Sequence, residues 1–140
     1  MRPFDTLIRL SEQTLDEKRK GLSQLEAALA RARAARTALD TELAAEKKAA
    51  AASIEGGRTY GAYAQRMILR RKRADQMIAD AEAQVEAARE DVRTAFAELK
   101  RYQITHDARL AKLAAEQARK DQAVMDETAQ NLARRKDDRL

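Results

Sequence analysis

The sequence predicts an all-α protein: a long two-helix antiparallel coiled-coil hairpin with a C-terminal helical overhang. Hydrophobic residues recur every seven positions along two long segments, and the 140 residues include a single proline. Charged residues make up 36% of the chain and the hydrophobic set 44%, with only 4% aromatic. This balance is typical of long helices whose narrow seam needs little bulky apolar volume. We expect one coiled-coil hairpin over residues 1–140.

The first helix is predicted over about residues 4–53. Its apolar repeat falls at intervals of seven residues, which is the spacing of a coiled-coil seam. Arg36 interrupts the repeat. The apolar members are Ile8, Leu15, Leu22, Leu29 and Leu43.

A turn is predicted over residues 54–61, which hold three of the four glycines of the chain. Gly56 and Gly57 supply the positive φ angles that end a helix, and Thr59 is a candidate cap for the next one. A short break between two apolar stripes favours an antiparallel hairpin.

The second helix is predicted over about residues 62–135, because no glycine or proline follows Gly61. Complementary sizes favour a register in which paired residue numbers sum to about 117, so that Leu22 meets Ala95. The first helix then has no partner for residues after about Leu110. We therefore expect the last thirty or so residues to project as a lone helix.

The residue inventory argues against an enzyme, a cofactor site or a small-molecule substrate. There is no cysteine, and His106 is the only histidine. A single imidazole in a rod has no fixed partners, so we interpret it as a polar register residue or an exposed side chain. The glycine-containing turn lacks the lysine of a phosphate-binding loop. No secretion signal or membrane span is visible, which favours a cytoplasmic protein.

A basic stretch just after the turn is the strongest local charge feature. Residues 66–73 hold five cations, but Met67, Ile68 and Leu69 add more apolar surface than the seam needs. We favour protein docking over nucleic-acid binding for this end. Tyr60 and Tyr63 are candidates either to cover the end of the seam or to anchor a partner. A nucleic-acid-binding helical arm and a generic oligomerising coiled coil remain the alternatives.

Two blocks resemble the FliJ and YscO family of flagellar and injectisome export-stalk proteins. One is YGAYAQRM at residues 60–67, similar to the family's aromatic pair after a glycine-containing turn. The other is DQAVMDETAQ at residues 121–130 with RRK at 134–136, similar to the C-terminal signature of the flagellar branch. The resemblance spans the second helix and favours the flagellar branch over the injectisome one. Arg66, Arg70 and Arg71 depart from the family pattern.

The resemblance implies a non-enzymatic central stalk of the type III protein export apparatus, at the cytoplasmic face of the membrane. Its implied partners are the export ATPase hexamer, the membrane export gate and export chaperones. Matching positions assign contact with the export gate to Tyr63 and Met67, and Tyr60 and Arg70 are added to this contact as their neighbours. Matching positions assign contact with the ATPase ring to Met125, Asp126, Glu127, Gln130 and Arg134.

Overall fold

The computed structural model describes residues 3–139, and within them the chain forms two long helices and no strand. Helix α1 covers Pro3–Ala51 and helix α2 covers Ile54–Asp138. The helices pack side by side in opposite directions, since the start of α1 lies beside His106 and Arg109 of α2. The predicted two-helix hairpin is confirmed. At 1.5 Å per residue, α1 is about 74 Å long and α2 about 128 Å.

The connection between the helices is shorter and earlier than predicted. Only Ala52 and Ser53 separate them, so the predicted turn over residues 54–61 is wrong: these residues form the first two turns of α2. Ser53 is extended, with φ −147° and ψ 156°, and its Oγ accepts a hydrogen bond from the Gly56 N–H at 3.0 Å. Serine in this geometry satisfies one of the free N–H groups at a helix start, the role predicted for Thr59.

Gly56 acts through its size rather than through its backbone angles. No residue of the described chain has a positive φ, glycines included. A Cβ added to Gly56 would lie 2.9 Å from Ser53 Oγ and 3.1 Å from the Cα of Ala50. Gly56 therefore lets the start of α2 pass close to the end of α1.

The earlier connection lowers the register sum below the predicted 117. The cross-helix ion pairs join residues whose numbers add to between 111, for Arg36 with Asp75, and 115, for Arg33 with Glu82. Leu15, rather than Leu22, packs with Ala95, in a cluster that also includes Leu99. A sum of 117 would centre the turn between residues 58 and 59. The connection lies at residues 52–53 instead, and a turn nearer the N terminus pairs residues with lower numbers, so the sum is lower.

The seam is narrow, and one small side chain, that of Ala95, lies among larger ones. Ile8 and Val92 flank the cluster of Leu15, Ala95 and Leu99, which matches the close packing expected between two helices. The buried hydrophobic residues, at 8% exposure or less, are Leu15, Leu29, Met67, Val85, Ala95 and Leu99.

Arg36, the interruption in the apolar repeat, crosses the seam edge instead of entering it. Its Nε donates to Asp75 of α2 at 2.6 Å, and a terminal nitrogen donates to Asp40 at 2.5 Å. These hydrogen bonds, first that of Asp40 and then that of Asp75, raise the pKa of the guanidinium above its ordinary value. A charged residue at a seam position is tolerated here because both carboxylates lie at the solvent-facing edge.

Beyond Leu113, α2 continues alone. Leu113 is the last α2 residue of an apolar depression that Phe4 and Leu7 of α1 also line. Residues 114–138 extend for about 37 Å, and all of them are exposed except the half-buried Glu116. The predicted C-terminal overhang is confirmed. None of the described helices has a stretch apolar and long enough to cross a bilayer.

Candidate contact surfaces

Two tyrosines lie together at the connected end of the hairpin. The rings of Tyr60 and Tyr63 are 6.3 Å apart between centroids and tilted by 38°, and both side chains are half-buried. They lie beside Glu46, Ala50 and Gly56 in a shallow depression. The pair thus covers the end of the seam while leaving part of each ring open to a partner, and the two roles considered from the sequence are compatible.

The hydroxyl of Tyr63 has no hydrogen-bond partner although its oxygen is buried. Burial raises the pKa of this hydroxyl above its ordinary value, and the nearby carboxylates of Glu42 and Glu46 raise it further. A buried hydroxyl without a partner costs folding free energy. The hydroxyl therefore offers no surface to a partner while the hairpin is closed, and only the exposed part of the Tyr63 ring is available for contact.

Met67 and Arg70, the other two residues assigned to the gate contact, differ in accessibility. Met67 is 1% exposed, the most buried side chain described, so it supports the seam and offers no free surface while the hairpin is closed. Arg70 lies over it: one of its terminal nitrogens is 3.4 Å from the Met67 sulfur and 3.4 Å from Glu42. Its side chain is half exposed, which leaves it available to a partner.

The five residues assigned to the ATPase ring all lie on the exposed overhang. Asp126, Gln130 and Arg134 follow at intervals of four and share one helix face. Met125, 65% exposed, projects from a different side. Asp126 also accepts a hydrogen bond from Gln122 at 2.9 Å. The overhang can thus present a polar face and a separate apolar one.

A ring cluster at the open end of the hairpin was missed by the sequence interpretation. Phe4 stacks on His106 with centroids 5.7 Å apart and planes 18° apart, and the guanidinium of Arg109 lies 5.0 Å from the centre of the Phe4 ring. The imidazole Nε2 is 3.3 Å from a carboxylate oxygen of Asp5. His106 is therefore neither isolated nor fully exposed. A register sum of about 111 would have paired it with Phe4 and Asp5.

The described residues offer no group of three or more His, Asp or Glu side chains that could hold a metal ion. The surfaces that remain are the tyrosine pair, the ring cluster and the overhang. The tyrosine pair lies at the connected end of the rod, the overhang forms the other end, and the ring cluster lies where the paired shaft gives way to the overhang.

Comparison with known proteins gives a match to a protein family. The family model described as "Flagellar FliJ protein" matches residues 1–138. No curated protein and no solved structure matches the chain significantly. The match covers both helices, the connection and the overhang.

Proposed function

Since the chain belongs to the FliJ family of flagellar proteins and is therefore a component of the flagellar export apparatus, we propose that it is the central stalk of that apparatus. This stalk joins the export ATPase hexamer to the membrane export gate. The family is one of export stalk proteins, not of known enzymes. In this proposal the overhang binds and stimulates the ATPase ring, and the connected end contacts the gate. The same stalk coordinates export chaperones on the cytoplasmic side of the membrane.

The observation that carries the proposal is the unequal length of the helices. A single helix that continues a two-helix shaft is thin enough to enter a ring, and its side chains are free to contact the ring wall. Residues 114–138 have this form and carry the block that resembles the flagellar C-terminal signature. Exposed, mixed charges make individually weak contacts, which suits a shaft whose neighbours change during a hydrolysis cycle.

Support for gate contact comes from the connected end. Half-buried tyrosines are frequent anchors at protein interfaces, because a large ring is already held in place before binding. Tyr60, Tyr63 and Arg70 offer such a surface, and Met67 stabilises it from below. Three of the four residues assigned to the gate therefore contact it directly in this proposal. The fourth, Met67, contributes by packing beneath them.

The ring contact is tested by ATP hydrolysis with the purified full chain and its cognate export ATPase. The double substitution Gln130→Ala with Arg134→Ala should reduce the stimulation. The matched control, Gln84→Ala with Arg93→Ala, changes the same residue types at exposed positions of α2 within the paired shaft and should stimulate like the unchanged protein. Equal stimulation by all three proteins would remove the ring contact from these residues, and no stimulation by any of them would contradict the stalk function.

Gate contact is tested by binding to the cytoplasmic part of the export gate. Arg70→Ala should weaken binding, whereas Arg93→Ala should not; both arginines are about half exposed, belong to α2 and pair with a glutamate. Tyr60→Ala, made as a separate variant, should weaken binding to the gate more than Arg70→Ala does. Unchanged affinity in both Arg70→Ala and Tyr60→Ala would place the gate contact elsewhere.

A further inference from the structure

All of the positive excess of the chain lies near the connected end of the hairpin. The chain holds 28 basic and 23 acidic residues, and residues 41–74 contain eight of the basic and three of the acidic ones. That leaves twenty of each in the other 106 residues. The net charge of +5 is therefore local, and the rest of the rod is balanced.

Most of these cations are not neutralised by a neighbour. Arg70 pairs with Glu42 at 3.4 Å and Arg71 with Asp40 at 3.6 Å. The other six form no ion pair among the described residues, and all are exposed: Lys47, Lys48, Arg58, Arg66, Lys72 and Arg73. Between Glu55 and Asp75 the sequence has no acidic residue at all. Unpaired, exposed cations concentrated at one end produce a strong local positive potential.

Apolar side chains stand among the cations on the side of α2 that faces away from α1. Ile54 and Lys72 are eighteen residues apart, or five full turns, and Arg58 and Leu69 lie within about 60° of that line. Ile54 is 81% exposed and Leu69 56% exposed, whereas Met67, on the opposite side, is buried. We call Ile54, Arg58, Leu69 and Lys72 the outer tip face, together with Arg73 at its margin, about 100° from that line, where Arg73 also lines a groove with Leu39 and Glu42 of α1.

We propose that the outer tip face binds the headgroup surface of an anionic phospholipid bilayer. Phosphate groups of the lipids attract the three cations of the face, and the two apolar side chains enter the boundary between headgroups and acyl chains. The binding is peripheral and rests on charge and exposure alone. It does not depend on the proposed ring or gate contacts, which use other side chains.

Charge and apolar surface together favour a lipid over a nucleic acid. A phosphate backbone attracts the cations equally well but gains little from an exposed isoleucine and leucine. Binding to single-stranded nucleic acid usually adds aromatic side chains on which bases stack. The tyrosines of this end lie along the seam, half-buried and away from the outer tip face.

The test is co-sedimentation of the full chain with vesicles. We expect binding to vesicles of phosphatidylcholine with phosphatidylglycerol, weak or no binding to phosphatidylcholine alone, and a loss of binding as salt increases. The triple substitution of Arg58, Lys72 and Arg73 by Gln should lower the partition coefficient on the order of 100-fold, at about five-fold for each cation. These side chains are exposed and unpaired, so helicity should be retained.

A matched control removes the same charge elsewhere. Substitution of Arg101, Lys112 and Arg119 by Gln changes two arginines and one lysine at exposed positions of α2 outside the tip. This variant should bind vesicles like the unchanged protein. Equal losses in the two triple variants would show that only the net charge matters and would overturn the assignment to the outer tip face.

A third variant separates lipid from nucleic acid. Leu69→Gln should weaken binding to the anionic vesicles on the order of ten-fold, because the leucine no longer enters the bilayer boundary. Binding of a single-stranded RNA, measured in parallel, should be unaffected by this change. Vesicle binding that is insensitive to Leu69→Gln, or RNA binding that is tighter than vesicle binding at the same salt, would overturn the lipid proposal.

Discussion

The ring of Phe4 stacks on the imidazole of His106 and joins the first turn of α1 to the last part of the two-helix shaft. Arg109 covers the Phe4 ring, and Asp5 lies within 3.3 Å of the imidazole. The cluster stands where the shaft ends and the overhang begins. It therefore holds the terminus of α1 in place at the point where helix packing stops.

Removal of the Phe4 ring should loosen this end of the shaft. We expect Phe4→Ala to lower the free energy of unfolding by about 1–2 kcal/mol, since both the stacking and the buried area are lost. Hydrogen exchange of the amides in the first turns of α1 should accelerate. Phe96→Ala is the control, because that ring is 43% exposed and its principal neighbour is Lys100 of the same helix. An equal effect of both changes would contradict a special role for the cluster.

We expect Met67 to contribute mainly to the stability of the hairpin and only indirectly to a contact surface. Met67→Ala leaves a void in the seam and should cost about 2–4 kcal/mol in urea unfolding followed by helicity. Met77→Ala changes the same residue type at 64% exposure on the same helix and should cost about 0.5 kcal/mol or less. A Met67→Ala protein as stable as Met77→Ala would mean that the side chain is not packed as described.

The glycines near the connection should respond to alanine in opposite directions. Gly56→Ala places a Cβ against Ser53 Oγ and the Ala50 backbone, so the thermal midpoint should fall. At Gly61 a Cβ meets nothing within 4 Å, and alanine favours the helix by about 0.5–1 kcal/mol. Gly61→Ala should therefore raise the midpoint. A stabilising Gly56→Ala would show that the connection does not require the close approach.

The hydroxyl of Tyr63 should make the hairpin sensitive to alkaline pH. Its pKa is raised in the folded state above the value of 10.0 for a free side chain, because burial disfavours the phenolate. The neutral hydroxyl is thus favoured by folding, and this contribution is present below pH 10.0 and lost as pH rises through the higher folded pKa. The free energy of unfolding should accordingly fall at strongly alkaline pH.

Tyr63→Phe should reduce that alkaline loss and leave the thermal midpoint at neutral pH unchanged or higher, since an unpaired buried hydroxyl is removed. Tyr102 keeps a part of the alkaline loss, because its hydrogen bond to Glu98 also raises the pKa of its hydroxyl. An identical alkaline profile for Tyr63→Phe and the unchanged protein would contradict the buried state of the hydroxyl.

Periodicity was sufficient for the architecture but not for its register. The sevenfold repeat of Ile8, Leu15 and Leu29 determines which side of α1 is apolar, because that property depends on residues close in sequence. Which residue of α2 packs against Leu15 depends on where the connection between the helices lies. Both Ser53 and the glycines at positions 56 and 57 were possible signals for that position. The sequence interpretation assigned the turn to the glycines, whereas Ser53 caps α2 and Gly56 gives it room.

The same limit applies to the contact surfaces. Exposure of the overhang followed from its length, so Met125 and Arg134 could be recognised as free side chains before the structure was known. Burial of Met67 follows from the side of α2 that faces α1, which a change of register along the axis leaves the same. The contact of His106 with Phe4 does depend on the register, and the predicted sum of 117 left it unnoticed.

The end of the α1–α2 pairing near Leu113 also has a mechanical consequence. Resistance of a rod to bending rises steeply with its thickness, so a sideways load on the far end of α2 bends the single helix before it bends the paired shaft. Flexing concentrates just beyond the Phe4 cluster, as it does where a thin rod leaves a thick one. The molecule is stiff along most of its length and compliant at one end, and a partner there can move while the shaft keeps its direction.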